Sequence, residues 1–125
     1  MLSDYEVVAT IPASNLERAK NFYSEKLGFR IVEDTPAGVL YQSKNSHFFL
    51  YPTQFAGTAQ NTAVAWEVDQ IEKVVKDLRS RGVKFEEYNM AELKTVDGIA
   101  TMGPSKVAWF KDTEGNTLGI TQMSR

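Results

Sequence analysis

The 125-residue sequence contains no cysteine and only one histidine. The first absence removes disulfides, thiolate metal sites and nucleophilic thiols together. The second leaves His47 as the only imidazole, whereas transition-metal sites draw on several imidazole, thiolate or carboxylate donors. Positive charge is not in surplus: 14 Lys and Arg stand against 16 Asp and Glu, a net charge of -2. No field exists to hold a phosphate backbone by counterion release, so nucleic acid is not an expected partner. No apolar run approaches the roughly 20 residues that cross a bilayer, and the start MLSDYEVV lacks the basic-then-apolar build of a signal peptide. The expectation is a cytoplasmic chain with no membrane partner.

What is present is enough apolar material, 42% of residues, for one core, and the expectation is a single domain over 1–125. The chain also repeats itself. An apolar strand at Val7 to Ile11 leads through Ser14 into a helical stretch, Asn15 to Leu27, with Leu16, Ala19, Phe22, Tyr23 and Leu27 on one face. Gly28 ends it. An apolar strand at Thr62 to Val68 then leads through Asp69 into a helix with Ile71, Val74, Val75 and Leu78 on one face, and Gly82 ends it. Ser14 with Glu17, and Asp69 with Glu72, have the spacing of capping boxes. The pairs Ser14 and Asp69, Leu16 and Ile71, and Ala19 and Val74 share an offset of 55.

Short strand candidates follow each helix. They are Arg30 to Asp34, Gly38 to Gln42 and Ser46 to Pro52 in the first half, and Lys84 to Tyr88, Ser105 to Lys111 and Thr117 to Gln122 in the second. Each half reads as strand, helix and three strands: a first module over about 5–54, a linker over 55–61 and a second module over about 62–123. The segment from Met90 to Pro104 has no first-half counterpart of its length. It reads equally as a lid or dimer arm and as an extra edge hairpin.

Three stretches carry a family resemblance: VVATIPASNLERAKNFYSEKLGF at 7–29, WEVDQIE at 66–72 and WFKDTEGN at 109–116. With the repeat, they make the chain resemble the vicinal-oxygen-chelate superfamily, which includes glyoxalase I, extradiol dioxygenases, fosfomycin-resistance enzymes and bleomycin-binding proteins. One departure is Thr113, where that family's turn often carries proline. The resemblance implies an α+β fold of two tandem βαβββ modules forming an open, cup-shaped mixed sheet with the helices outside. It also implies a homodimer, and exposed sheet edges argue for covering in the same way. The family's metal-binding members place ligands on the first and last strand of each half. Those positions fall at Val8, Phe49, Ala63 and Gly119, none of which can hold a metal, so no metal or other cofactor is expected.

Strand alternation then proposes who lines the cup. The candidates are Tyr41, His47, Phe49, Tyr51, Ala63, Met102, Trp109, Gly119 and Thr121, which combine aromatic faces with a few polar groups and small residues that leave space. His47 reads as a base or ligand contact, or as a solvated histidine at a strand mouth; Trp66 is expected to pack under the second helix. The functional expectation is a metal-independent protein that binds an unidentified small molecule without changing bonds. The alternatives are an enzyme of the same superfamily, of lyase, isomerase or dioxygenase type, and a regulatory partner that pairs through a sheet edge.

Overall fold

The computed structural model describes residues 1–123; Ser124 and Arg125, the end of the expected domain, lie outside the described residues. The first half contains β1 (Ala9–Ala13), α1 (Leu16–Asn21), β2 (Arg30–Thr35), β3 (Gly38–Ser43) and β4 (Ser46–Pro52). α1 widens into a π-helical turn over Phe22–Lys26, so the expected helix is two kinds of helix in series. The second half contains β5 (Thr62–Glu67), α2 (Ile71–Ser80), β6 (Asn89–Met90), β7 (Leu93–Val96), β8 (Ile99–Met102), β9 (Ser105–Lys111) and β10 (Thr117–Gln122).

Two mixed sheets result, with orders β1-β4-β3-β2 and β5-β10-β9-β8-β7-β6. In each, the first strand runs parallel to the last and the remaining pairs are antiparallel. The helix starts at Leu16 and Ile71 keep the offset of 55, and both helix-ending glycines, Gly28 and Gly82, have positive φ, +78° and +93°. A left-handed residue stops a helix, and glycine adopts that conformation without a Cβ clash.

One face of each sheet is apolar and covered by helix. Ile11, Val39, Tyr41, Phe48 and Leu50 of the first sheet, and Ala108, Phe110, Leu118 and Ile120 of the second, are buried in one core with Ala19, Tyr23, Ile71 and Val75 of the helical segments. Trp66 joins that core. It stacks on Phe29 with ring centroids 5.4 Å apart and meets Phe48 edge-on at 5.9 Å, so it binds the second sheet to the aromatic cluster of the first half.

Several local expectations are corrected. The cap of α1 is Asn15, whose side chain accepts from the Arg18 amide at 3.0 Å; Ser14 instead donates to Glu114 at 3.1 Å. α2 begins after Gln70 with no capping side chain of its own, and the Ile71 amide is taken by Gln122 Oε1 at 2.8 Å. In both places a distant acceptor outbids the local spacing. The Lys84 to Tyr88 strand reduces to one bridge, Phe85 to Phe110, because β8 already holds the neighbouring edge of β9. The 90–104 segment is the edge hairpin β7–β8 with the short β6 beside it.

Candidate functional site

The candidate site is the face of the two sheets turned away from the helices. It is positioned by the turn between β9 and β10. Asp112, 7% exposed, accepts from the Glu114 and Asn116 amides at 2.9 Å each, from Asn116 Nδ2 at 2.8 Å and from the Tyr23 hydroxyl at 2.7 Å. Asn116 Nδ2 also donates to the Pro12 carbonyl at 2.7 Å, and its Oδ1 accepts from the Gly57 amide at 3.3 Å. Glu114 accepts from Ser14, the Asn15 amide, Thr113 and Arg18, the last at 2.8 Å. A turn of the second half therefore fixes β1, α1 and the 55–61 linker of the chain.

Burial alone would raise the Glu114 carboxyl, but the hydrogen bonds from Arg18, Asn15, Thr113 and Ser14 outweigh it and hold the group down at about 2. The Tyr23 hydroxyl is pushed far above its ordinary value by burial and by the Asp112 carboxylate. Both groups keep one protonation state at any ordinary pH, which makes the turn a scaffold and not a proton relay.

On the open face of the first sheet, β4 presents His47, Phe49 and Tyr51 at alternate positions, while Phe48 and Leu50 point to the helices. β3 supplies their partners Gln42, opposite His47, and Leu40, opposite Phe49. The Phe49 ring lies against Gly38: a Cβ there would come within 2.5 Å of the ring and of the Leu50 carbonyl. Tyr41 is corrected. It pairs with Phe48 and so shares the helix face; it is fully buried, and its hydroxyl meets Ser24 at 3.0 Å and the Lys20 carbonyl at 3.2 Å.

On the open face of the second sheet, Gly119 pairs with Trp109 and Ala65, and Thr121 with Val107 and Glu67. The indole of Trp109 lies beside Gly119, with its Cδ1 3.7 Å from where a Cβ would stand, and its Nε1 donates to the Thr62 hydroxyl at 3.2 Å. Tyr88 meets the same indole edge-on, centroids 5.6 Å apart. Met102 is half exposed at the far end, opposite Ser105. Ala63 falls at a register shift between β5 and β10 and turns instead into a hollow of about 220 Å³, shared with Thr10, Pro12, Phe55 and Thr117. Of the nine expected lining residues, Ala63 alone borders this hollow, and His47, Phe49 and Tyr51 stand on a different sheet from Trp109, Gly119 and Thr121.

Sequence reasoning missed Thr62, Leu40 and Gln42. Alternation from His47 and Phe49 would have found the last two once the β3–β4 register was known. The Thr62 contact depends on the register shift, which leaves no mark in the sequence.

Two repeated mixed sheets, each with its helix on one face and its first strand parallel to its last, define an α+β fold of tandem modules. The chain belongs to the Glyoxalase/Bleomycin resistance protein/Dioxygenase superfamily, whose family model matches residues 7–120. Among solved structures it is similar to UcmS2, at 19% identity and a TM-score of 0.73 over 94% of this chain and 98% of that one. It is also similar to TnmS3, an antibiotic binding protein from Streptomyces sp. CB03234, at 23% identity and 0.64 over 96% and 98%. A third likeness is to a glyoxalase family protein from Enterococcus faecalis, at 24% identity and 0.71 over 97% and 99%. At these identities the likeness shows the fold. A comparison with curated proteins gives no match.

The metal that many members of the family carry does not fit this donor set. Val8, Phe49, Ala63 and Gly119 stand at the ligand positions that the family resemblance implies, and none carries a donor atom on its side chain. Trp109 takes up the room beside Gly119. Among the described residues no three His, Asp or Glu side chains converge as a metal site.

Proposed function

We propose that this protein binds a planar, largely apolar small molecule on the open face of its sheets and holds it without metal chemistry. One observation carries the reading: the Trp109 indole is held beside Gly119 by its bond to Thr62 and by the Tyr88 edge, where the family resemblance implies a metal ligand. A pinned aromatic plane with small neighbours is a stacking platform that loses little entropy when a ligand arrives. His47, Phe49 and Tyr51 on the first sheet offer the same combination of ring faces and hydrogen-bonding tips.

Because the two aromatic groups belong to different sheets, the reading takes the working form as a homodimer in which a second copy covers each open face. The enzyme alternative depends on His47, the one imidazole on that face, acting as a base.

The test uses the two tryptophans. A Trp66→Phe chain keeps Trp109 as its only indole and is titrated with bleomycin and a panel of polycyclic aromatic antibiotics. Saturable quenching, unchanged by added Mn, Ni or Zn and lost in the Trp109→Ala chain, is the expected result. Absence of any saturable change across the panel, or turnover of a panel compound that vanishes with His47→Ala, overturns it.

A further inference from the structure

Two features of the chain are unmatched within it. The first is the segment before β1. Leu2, Tyr5, Val7 and Val8 are 88%, 73%, 89% and 46% exposed, the short 3-10 turn Leu2–Asp4 buries nothing, and the segment carries two acids, Asp4 and Glu6. Asp4 meets the terminal ammonium at 3.5 Å; Glu6 makes no ion pair among the described residues. Four exposed apolar side chains within seven residues are the mark of a surface that another surface covers.

The second is a groove of about 640 Å³ between α2 and the helix-side face of the β7–β8 hairpin. Its floor is Val75, Ile99 and Val96, the last 75% exposed. Its walls carry four cations against two acids, although the chain as a whole is acidic. Lys106 is committed to Glu72 at 2.7 Å, and Arg79 lies over the Phe85 ring at 5.6 Å. Lys76 and Lys94 have no ion pair among the described residues. An apolar floor between unpaired ammonium groups suits an apolar strand bearing carboxylates.

We propose that the segment Leu2–Val8 of one copy lies in the α2–hairpin groove of a second copy, with Tyr5 on the apolar floor and Glu6 between Lys76 and Lys94. Charge selects this groove over the other large hollow, which is lined by Phe29, Trp66 and Val74. That hollow bears one cation and one acid, Lys73 and Asp77, and so offers an acidic strand no net attraction. The segment's own groove is not its seat, because within the single chain the segment stays exposed and the groove stays open.

The absence of native cysteine gives a direct test, since only introduced thiols react. A Tyr5→Cys chain is mixed with a Val96→Cys chain under mild oxidation, beside a control pair of Phe55→Cys and Val96→Cys. Phe55 is comparably exposed, at 67%, but lies in the linker. The disulfide-linked heterodimer should form about tenfold or more faster than the control, as a docked segment raises the local thiol concentration. The rate should fall toward the control when the second chain also carries Lys76→Glu and Lys94→Glu. It should recover when the first chain then carries Asp4→Lys and Glu6→Lys. A rate equal to the control overturns the proposal. So does a concentration-independent intrachain disulfide in the Tyr5→Cys/Val96→Cys double variant, which would seat the segment on its own chain. Neither outcome touches the ligand reading, whose test is the quenching of Trp109.

Discussion

The turn between β3 and β4 and the turn between β9 and β10 hold equivalent places in the two sheets, and they have opposite fates. Lys44 and Asn45 of the first are exposed, with Lys44 at φ +53°, and among the described residues their side chains make no hydrogen bond or ion pair to another element. Asp112, Glu114 and Asn116 of the second are 5–7% exposed and bond to β1, to α1 and its π turn, and to the linker. A repeated fold therefore needs only one of its two copies of a turn to fasten the halves. The other is left free beside the strand that presents His47.

The strongest way to break this comparison is to remove the acceptor at the centre of the buried turn. Asp112→Ala strands the Tyr23 hydroxyl and two buried amides, and should cost about 3–5 kcal/mol of folding stability by denaturant titration. Asn45→Ala at the equivalent turn should stay within about 0.5 kcal/mol, as exposed substitutions do. Equal losses at the two turns would show that the asymmetry is not energetic.

A smaller effect separates charge from shape in the same turn. Glu114→Gln keeps the outline but weakens the bonds from Arg18, Ser14 and the Asn15 amide, for a loss of about 2–3 kcal/mol at neutral pH. The native carboxyl titrates at about 2, below its ordinary 4.5. In this interval the unfolded chain binds more protons than the folded one. The carboxylate's stabilisation is thus fully present above 4.5 and is lost as pH falls through about 2. Denaturation midpoints measured down this range should fall steeply for the native chain and more shallowly for Glu114→Gln.

These same residues mark how far the sequence could be read. The repeat, the helix faces and the glycine stops were legible because they are local and periodic: Leu16 and Ile71 start their helices where spacing puts them. Tyr41 was placed on the wrong face. In the first half β2, β3 and β4 fall within a residue of expectation, whereas β1 runs over Ala9–Ala13 and not from Val7 to Ile11; the face of β3 that turns to the helices follows from its pairing with Phe48 across the hairpin, not from Tyr41's own composition. The capping boxes at Ser14 and Asp69 failed for a related reason. Their spacing is right, yet Glu114 and Gln122, separated from the helices they serve by about 100 and about 50 residues, fasten the helix starts instead through the Asn15 and Ile71 amides. Of the site, the alternation of His47, Phe49 and Tyr51 was visible, whereas the bond of Trp109 to Thr62 depends on a shifted register.

The mildest test sharpens the comparison at the helix starts. α1 is capped locally by Asn15 and remotely by Glu114, while α2 has only the remote acceptor Gln122. Losing a single cap costs about 1 kcal/mol, so Asn15→Ala and Gln122→Ala should destabilise the chain by similar small amounts. They should differ in where the loss is felt. With Glu114 still holding its own amide, Asn15→Ala should leave exchange at that amide nearly unchanged. Gln122→Ala leaves the Ile71 amide with no acceptor among the described residues, and its hydrogen exchange should quicken about fivefold or more, the equivalent of about 1 kcal/mol, as the first turn of α2 frays. Equal protection of the Ile71 amide in both variants would mean that packing of Ile71 in the core, and not the Gln122 side chain, fixes the start of α2.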